Sequence, residues 1–293
     1  MRDDLREITV TRALHPERIA ELAQTRKRGP LLGDGGKALV IAADHPARGS
    51  LRAGTDPLAM ADRAELLRRL RVALGRPGVT GVLGTADVLE DLLLLDALHD
   101  KSVFGSMNRG GLAGAAFEMD DRFTGYDAPS LVRSGFDGGK MLLRVDYTDD
   151  RTVPTLQACA DAVSALAAER LIAMVEPFIS ARDDGRVWND LSVEAATRAV
   201  TVASGLGTTS AYTWLKVPVI GDGGDEMAQV LAATTMPTLL LGGEVAADQD
   251  RTYERWSRAL RLPTVMGLVV GRSLLYPPDG DVARAVDTAA GLL

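Results

Sequence analysis

The sequence predicts an α/β fold, a (β/α)8 TIM barrel with an extra N-terminal helix. Three observations carry that prediction. Eight short apolar runs alternate strictly with segments of helical period along the 293 residues. The first run ends in Asp44-His45-Pro46-Ala47-Arg48-Gly49, not in the G-x-G-x-x-G turn that often opens a doubly wound sheet. Polar residues gather at the ends of the runs, where a barrel places its site. No composition break marks a second domain, so 1–293 reads as one barrel, with 1–36 as a helical extension.

The elements follow in order. Residues 15–27 read as a helix, and the charged segment before them is also helical in pattern. Lys37–Asp44 is a continuous apolar run closing in a polar residue, the pattern of a strand buried on both faces. Asp56-Pro57 offers an N-cap and a first-turn proline for a helix running to Leu74. Val79–Thr85 and Ser102–Asn108 are the second and third strands, with a helix over 86–100 between them. The Gly-rich segment 109–130 is longer than ordinary connections, and loops of that length are usually functional. A short helix then precedes the fourth strand, Gly138–Tyr147. A helix over 152–169 leads to the fifth strand, Arg170–Phe178, and the Asp183-Asp184-Gly185-Arg186 turn beyond it reads as solvated surface. Ser192 caps the next helix, which ends near Gly207. Thr213–Val219, Thr238–Gly243 and Thr264–Ser273 complete the strands, with helices over 224–234, 248–262 and 279–293.

Composition excludes several function classes. With 46% hydrophobic and 25% charged residues, a large core is within reach and global disorder is not expected. A net charge of −7 and only 4% aromatic residues disfavour nucleic acid and anionic membrane as partners. The single cysteine, Cys159, lies in a helical pattern and reads as core packing. No run of 18 apolar residues and no apolar leader occur, so a soluble cytoplasmic protein is expected. His15, His45 and His99 show no metal-ligand spacing, and neither a metal nor a cofactor is expected.

Lys216 is the one charge in Thr213–Val219. On an edge strand it would point to solvent; in a closed barrel no edge exists. A buried lysine beside a carboxylate is a workable amine nucleophile, because desolvation and a nearby cation free its lone pair. Glu176, closing the fifth strand, is placed to move protons both for imine formation and from the substrate hydroxyl, directly or through water, or else to form a structural ion pair. Lys140 stands at the start of the fourth strand, the wrong end by simple counting. If it reaches inward, its charge would lower the pKa of Lys216. Gly242, Gly243, Gly271 and Arg272 close the seventh and eighth strands, where barrels often build a phosphate site. Asp44, His45, Asn108, Arg109 and Arg144 complete the set of strand-end candidates. Trp214, two residues before Lys216, would share its face and wall the pocket; Trp256 reads as helix packing.

These residues carry a family resemblance. VIAADHPARG, GGKMLLRVDYTDD, LIAMVEPF, YTWLKVPV, LLLGGE and VVGRSLLYPPDGD occur in the order and spacing of the class I aldolase superfamily. That superfamily includes deoxyribose-phosphate, archaeal fructose-bisphosphate and tagatose-bisphosphate aldolases. The resemblance covers the chain from about Ala38 onward and looks closest to an actinobacterial aldolase-like branch. It implies that Lys216 forms the Schiff base, Glu176 shuttles protons and Lys140 orients both. It further implies that Asp44 is the first-strand acid, and that Gly243, Gly271 and Arg272 hold phosphate. The chain departs from the pattern at His45-Pro46, at Arg144 and in the 108–129 loop, all on the substrate side. The implied activity is metal-independent cleavage or formation of a carbon–carbon bond in a phosphorylated ketose or keto sugar acid. One candidate substrate is 5-dehydro-2-deoxygluconate 6-phosphate, with Arg144 or Arg109 favouring its acidic end. Another ketose phosphate of the fructose, tagatose or sulfofructose type, a non-catalytic sugar-phosphate-binding barrel, and an isomerase stay open as alternatives. Self-association into a homo-oligomer is expected.

Overall fold

The computed structural model describes residues 2–246 and 248–293; Met1, in the predicted extension, lies outside them. The strands are β1 (Ala38–Ala42), β2 (Gly81–Gly84), β3 (Ser102–Ser106), β4 (Gly138–Val145), β5 (Ile172–Asp183), β6 (Arg186–Asp190), β7 (Thr213–Val217), β8 (Thr238–Leu241) and β9 (Val265–Val270). All but β6 pair in parallel, in the order β4-β3-β2-β1-β9-β8-β7-β5, and a β4–β5 pairing closes the ring. Eight parallel strands with helices outside them form a (β/α)8 barrel.

The eight barrel strands are buried on both faces within the ring, which is why they read as unbroken apolar runs. Val40, Leu83, Phe104, Met174, Leu239 and Val269 fill the barrel interior, with Trp214 partly buried against them. A larger apolar layer lies between strands and helices and includes Leu67, Leu92, Leu166, Val230 and Val286. Cys159 and Trp256 belong to that outer layer, where helix packing was expected for both.

Three elements differ from the sequence reading. The extension carries two helices, α1 (Arg2–Leu14) and α2 (Glu17–Thr25), rather than one. The helix expected from Asp56-Pro57 starts later, as α3 (Arg63–Leu74). Asp62 caps it by accepting from the Glu65 N–H, while Asp56 caps only a local turn, accepting from the Leu58 N–H at 2.8 Å. The third difference bears on the site. β5 does not stop at Phe178 but runs on to Asp183, turns at Asp184-Gly185 and returns as antiparallel β6. Asp184 and Gly185 have φ of 46° and 76°, the pair of left-handed residues that a two-residue hairpin turn requires. Among the described residues no helix is long and apolar enough to cross a membrane.

Candidate active site

Strand register brings four distant residues together at one end of the barrel. Glu176 pairs in register with Leu142, so Lys140 stands two residues back along β4, about 6.6 Å. A lysine stem spans that distance. Lys140 is also level with Ser106, the last residue of β3. Strand stagger therefore puts the start of β4 beside the end of its neighbour. Counting along β4 alone put Lys140 at the wrong end, whereas the stagger turns it into the site. Lys216 comes from β7, which pairs with β5. Asp44 lies two residues beyond the end of β1.

The result is a buried charge cluster. Relative exposures are 1% for Asp44 and Lys140, 4% for Lys216, 8% for Arg109 and 9% for Glu176. Lys216 Nζ lies 2.9 Å from Glu176 Oε1, and Lys140 forms an ion pair with Oε2 of the same carboxylate. Lys140 Nζ is also 3.3 Å from Asp44 Oδ2, the oxygen that takes an ion pair from Arg109 and a hydrogen bond from Ser106 Oγ at 3.2 Å. Three cations thus face two carboxylates, an excess of one positive charge out of water. Burial pushes the Lys216 ammonium below its ordinary pKa against the pull of Glu176, and Arg109 and Arg272 push the same way. Lys140 is lowered further, by burial and then by Arg109. Burial would raise Glu176, but Lys140 and Lys216 hold it well below the usual carboxylate range. Burial lowers the Arg109 guanidinium to about 10. An amine poised to shed its proton beside a fixed carboxylate is the equipment for attack on a carbonyl.

Lys216 lines a cavity of about 420 Å³ that also takes in Gly242, Gly243, Gly271 and Arg272. Gly243 adopts φ 67°, and a Cβ at Gly271 would meet the Ala42 carbonyl oxygen at 2.4 Å and His45 Cε1 at 3.0 Å. The backbone at 271 therefore approaches its neighbours as only glycine allows. Arg272 Nε is buried and has no hydrogen-bond partner among the described residues, a donor left for a ligand. His45 lines the same cavity, and its Nδ1 is 3.8 Å from Asp44 Oδ1. Burial, then Arg272 and Lys216, hold the imidazole well below 6.5, in the neutral form.

Other candidates are placed differently. Asn108 does not line the cavity. Its amide nitrogen donates to the carbonyls of Leu142 at 2.6 Å and Asp121 at 3.2 Å, and its oxygen accepts from the Leu142 N–H at 2.7 Å. Asn108 thereby stitches the long loop to β4. Arg144 reaches the cavity wall, but its guanidinium is held by Asp121, with Nε–Oδ2 at 2.8 Å and Nη2–Oδ1 at 2.6 Å. Its charge is matched within the loop, as that of Arg109 is by Asp44. Trp214 faces inward one layer below Lys216 and plugs the barrel interior; it does not line the cavity. Sequence reading missed Arg48, Glu118 and Trp188, which do line it. Trp188 sits on β6 and is 48% exposed. Its signal was the Asp184-Gly185 turn between alternating segments, a hairpin signature read as bare surface. Arg48 ends a single 3-10 turn, Pro46–Arg48, and Glu118 lies in an irregular loop; neither had a periodic signal. Among the described residues no group of three or more His, Cys, Asp or Glu is assembled to hold a metal ion.

The crystal structure of Cgl0159 from Corynebacterium glutamicum is 52% identical and superposes with a TM-score of 0.95, covering 100% of this chain and 97% of its own. A Schiff base-forming fructose-1,6-bisphosphate aldolase is 18% identical, with a TM-score of 0.69 over 94% of this chain and 99% of its own. An archaeal fructose 1,6-bisphosphate aldolase is 16% identical, with a TM-score of 0.67 over 94% and 98%. At that identity the likeness is one of fold. No curated protein sequence matches. The profile of the Cgl0159-like family matches residues 36–290, from just before β1 to the last helix, and the chain belongs to that family.

Proposed function

We propose that this chain is a class I aldolase, making or breaking a carbon–carbon bond in a phosphorylated ketose or keto sugar acid through a Schiff base on Lys216. The observation that carries the reading is the 2.9 Å Lys216–Glu176 contact, with Lys140 on the second carboxylate oxygen, inside the cavity that holds Arg272. Another archaeal neighbour of this fold, 17% identical, was solved with its catalytic Lys covalently bound to the carbinolamine intermediate of the substrate, which supports reading Lys216 in the same way.

Neutral Lys216 attacks the ketone carbon, and the carbinolamine loses water to give an iminium. Glu176, against the Lys216 nitrogen, moves the protons of those two steps. In ketose numbering, with the ketone at C2, loss of the C4 hydroxyl proton drives cleavage of C3–C4 (in 5-dehydro-2-deoxygluconate 6-phosphate, with its ketone at C5, the same hydroxyl is on C3), and the electron pair passes into an enamine that is reprotonated and hydrolysed. Gly243, Gly271 and Arg272 take the phosphate, with Arg272 Nε as a free donor.

For substrate, a ketose phosphate with an acidic far end is the first to test, and 5-dehydro-2-deoxygluconate 6-phosphate fits that description. Arg48 supports it: the side chain lines the cavity, and its nearest carboxylate oxygen, on Glu118, stands 3.7 Å away. The test is intact mass after borohydride reduction with dihydroxyacetone phosphate. A single adduct on Lys216, absent in Lys216→Met, is expected. An adduct elsewhere, or none across a panel of ketose phosphates, overturns the reading.

A further inference from the structure

The aldolase reading, on which this inference rests, leaves one step without a base. Cleavage needs a group to take the hydroxyl proton at C4. Both Glu176 oxygens face amines, and Asp44 Oδ2 faces Lys140, Arg109 and Ser106. A carboxylate gripped by that many donors is a weak proton acceptor. Of the titratable side chains on the cavity, Glu118 is held by Arg48, Arg144 and the Gly114 N–H, and Glu244 stands exposed at the rim; His45, beside Asp44, is the one next to the reacting amine without such a grip. Its Nδ1 is buried and has no hydrogen-bond partner among the described residues. That nitrogen faces Asp44 Oδ1 at 3.8 Å, so the carboxylate favours the tautomer with the proton on Nδ1. Nε2 then carries the lone pair and is the nitrogen left for a ligand. The ring edge at Cε1 is turned toward Gly271, beside the anion-binding end.

We propose that His45 is a catalytic residue, whose Nε2 takes the hydroxyl proton of the substrate and is switched on by the phosphate of that same substrate. In the step, the C4 hydroxyl proton moves to Nε2 and the O–H electron pair becomes the aldehyde carbonyl. The C3–C4 pair enters the C2–C3 bond of the enamine as the iminium nitrogen loses its charge. The imidazolium gives its proton to water as the aldehyde leaves.

The switch follows from what surrounds the ring. The charged groups facing it are Asp44 after β1, Lys140 on β4, Glu176 on β5, Lys216 on β7 and Arg272 after β9. After burial, Arg272 is the strongest influence against protonation, followed by Lys216. A phosphate dianion on Arg272 cancels the first, and Schiff-base chemistry at Lys216 proceeds only once substrate is in place. Burial, Arg272 and Lys216 together keep His45 neutral, and a phosphorylated substrate supplies the charge that makes it a stronger base.

Two measurements test this. The chain has only three histidines, His15, His45 and His99, so each ring is resolvable by NMR. The His45 titration midpoint should rise by about one pH unit or more in saturating inorganic phosphate, as expected when an anion neutralises a nearby cation. In His45→Gln, condensation of dihydroxyacetone phosphate with glyceraldehyde 3-phosphate or malonate semialdehyde should fall at least about 100-fold in kcat, with KM within about threefold. Borohydride trapping at Lys216, and deuterium exchange at the hydroxymethyl carbon of dihydroxyacetone phosphate, should persist, because neither needs the C4 base. A midpoint unmoved by phosphate overturns the proposal. So does a kcat within about threefold of the parent, a defect confined to KM, or trapping lost together with turnover. A parent protein that neither traps nor exchanges dihydroxyacetone phosphate fails the aldolase reading itself, a result distinguishable from all of these.

Discussion

Lys140 and Lys216 hold opposite oxygens of the Glu176 carboxylate, reaching it from the strands on either side of β5. Each amine is the other's neighbouring cation, and the influence is reciprocal: the Lys216 charge lowers Lys140, so the Lys140 charge lowers Lys216 by the same coupling. Removing Lys140 therefore makes Lys216 harder to deprotonate. In Lys140→Met, the acid limb of the pH profile for borohydride trapping should move up by about one pH unit, a roughly tenfold loss of trapping at neutral pH. A limb that stays in place while trapping falls would assign Lys140 to substrate contact instead.

The same arithmetic sets a stability prediction with opposite signs at two positions. The cluster of Asp44, Arg109, Lys140, Glu176 and Lys216 carries one excess positive charge. Lys216→Met brings it to balance, so turnover should vanish while Tm holds or rises, as expected where function is built at the cost of stability. Glu176→Gln raises the excess to two and strands two buried amines, at a cost of about 3–5 kcal/mol in urea unfolding. The pH dependence follows from the lowered carboxyl. Its folded-state pKa lies below the ordinary 4.5, so its contribution is present above that value and is lost as pH falls through the folded pKa. Acid unfolding of the parent should include this step, and Glu176→Gln should lack it.

The legible part of the protein was what repeats. Eight apolar runs in strict alternation with helices fix a barrel, and a barrel fixes which end of each strand meets substrate. Lys216, Glu176, Asp44 and Arg272 were picked out that way, and all four line one cavity. Lys140 was doubtful because stagger between strands is a property of the closed sheet, not of any one run. The β5–β6 hairpin was missed although Asp184-Gly185 announces it, because the strand before it had already met the length expected of a barrel strand. Arg48 and the ties between Arg144, Asp121 and Glu118 were invisible because they reach from a short turn and from β4 to loop residues with no period to read. Asn108 looked like a ligand contact from its strand-end position, but three backbone partners consume its amide.

Those ties make the 109–123 segment a strap across the cavity wall. Arg144 joins Asp121 and Glu118, and Arg48 Nε donates to the Gly111 carbonyl at 2.7 Å. Asp121 is fully buried, so Arg144→Ala leaves an unpaired carboxylate out of water. The expected cost is about 3–5 kcal/mol, and hydrogen exchange should quicken over 109–123 ahead of the barrel strands. Asp121→Asn combined with Arg144→Met removes both charges and should recover most of the loss. If the double variant is no better than the single, the strap is held by something other than this ion pair.

Trp188 gives the ligand-bound state its own signal. Trp256 is buried on the inner face of the helix Gln249–Ala259 and Trp214 lies in the barrel interior, whereas Trp188 stands at the cavity mouth on β6. β6 ends the sheet order and pairs only with β5, so the hairpin is held along one side and can settle onto a ligand with little penalty. Closing it would bury an indole that is half exposed. Binding of dihydroxyacetone phosphate should therefore shift the tryptophan emission to the blue in the parent and leave Trp188→Phe unchanged. Because the residue acts on substrate retention and not on the amine, Trp188→Ala should raise KM by about tenfold with kcat nearly intact. A fluorescence response that survives in Trp188→Phe would place the moving element elsewhere on the rim.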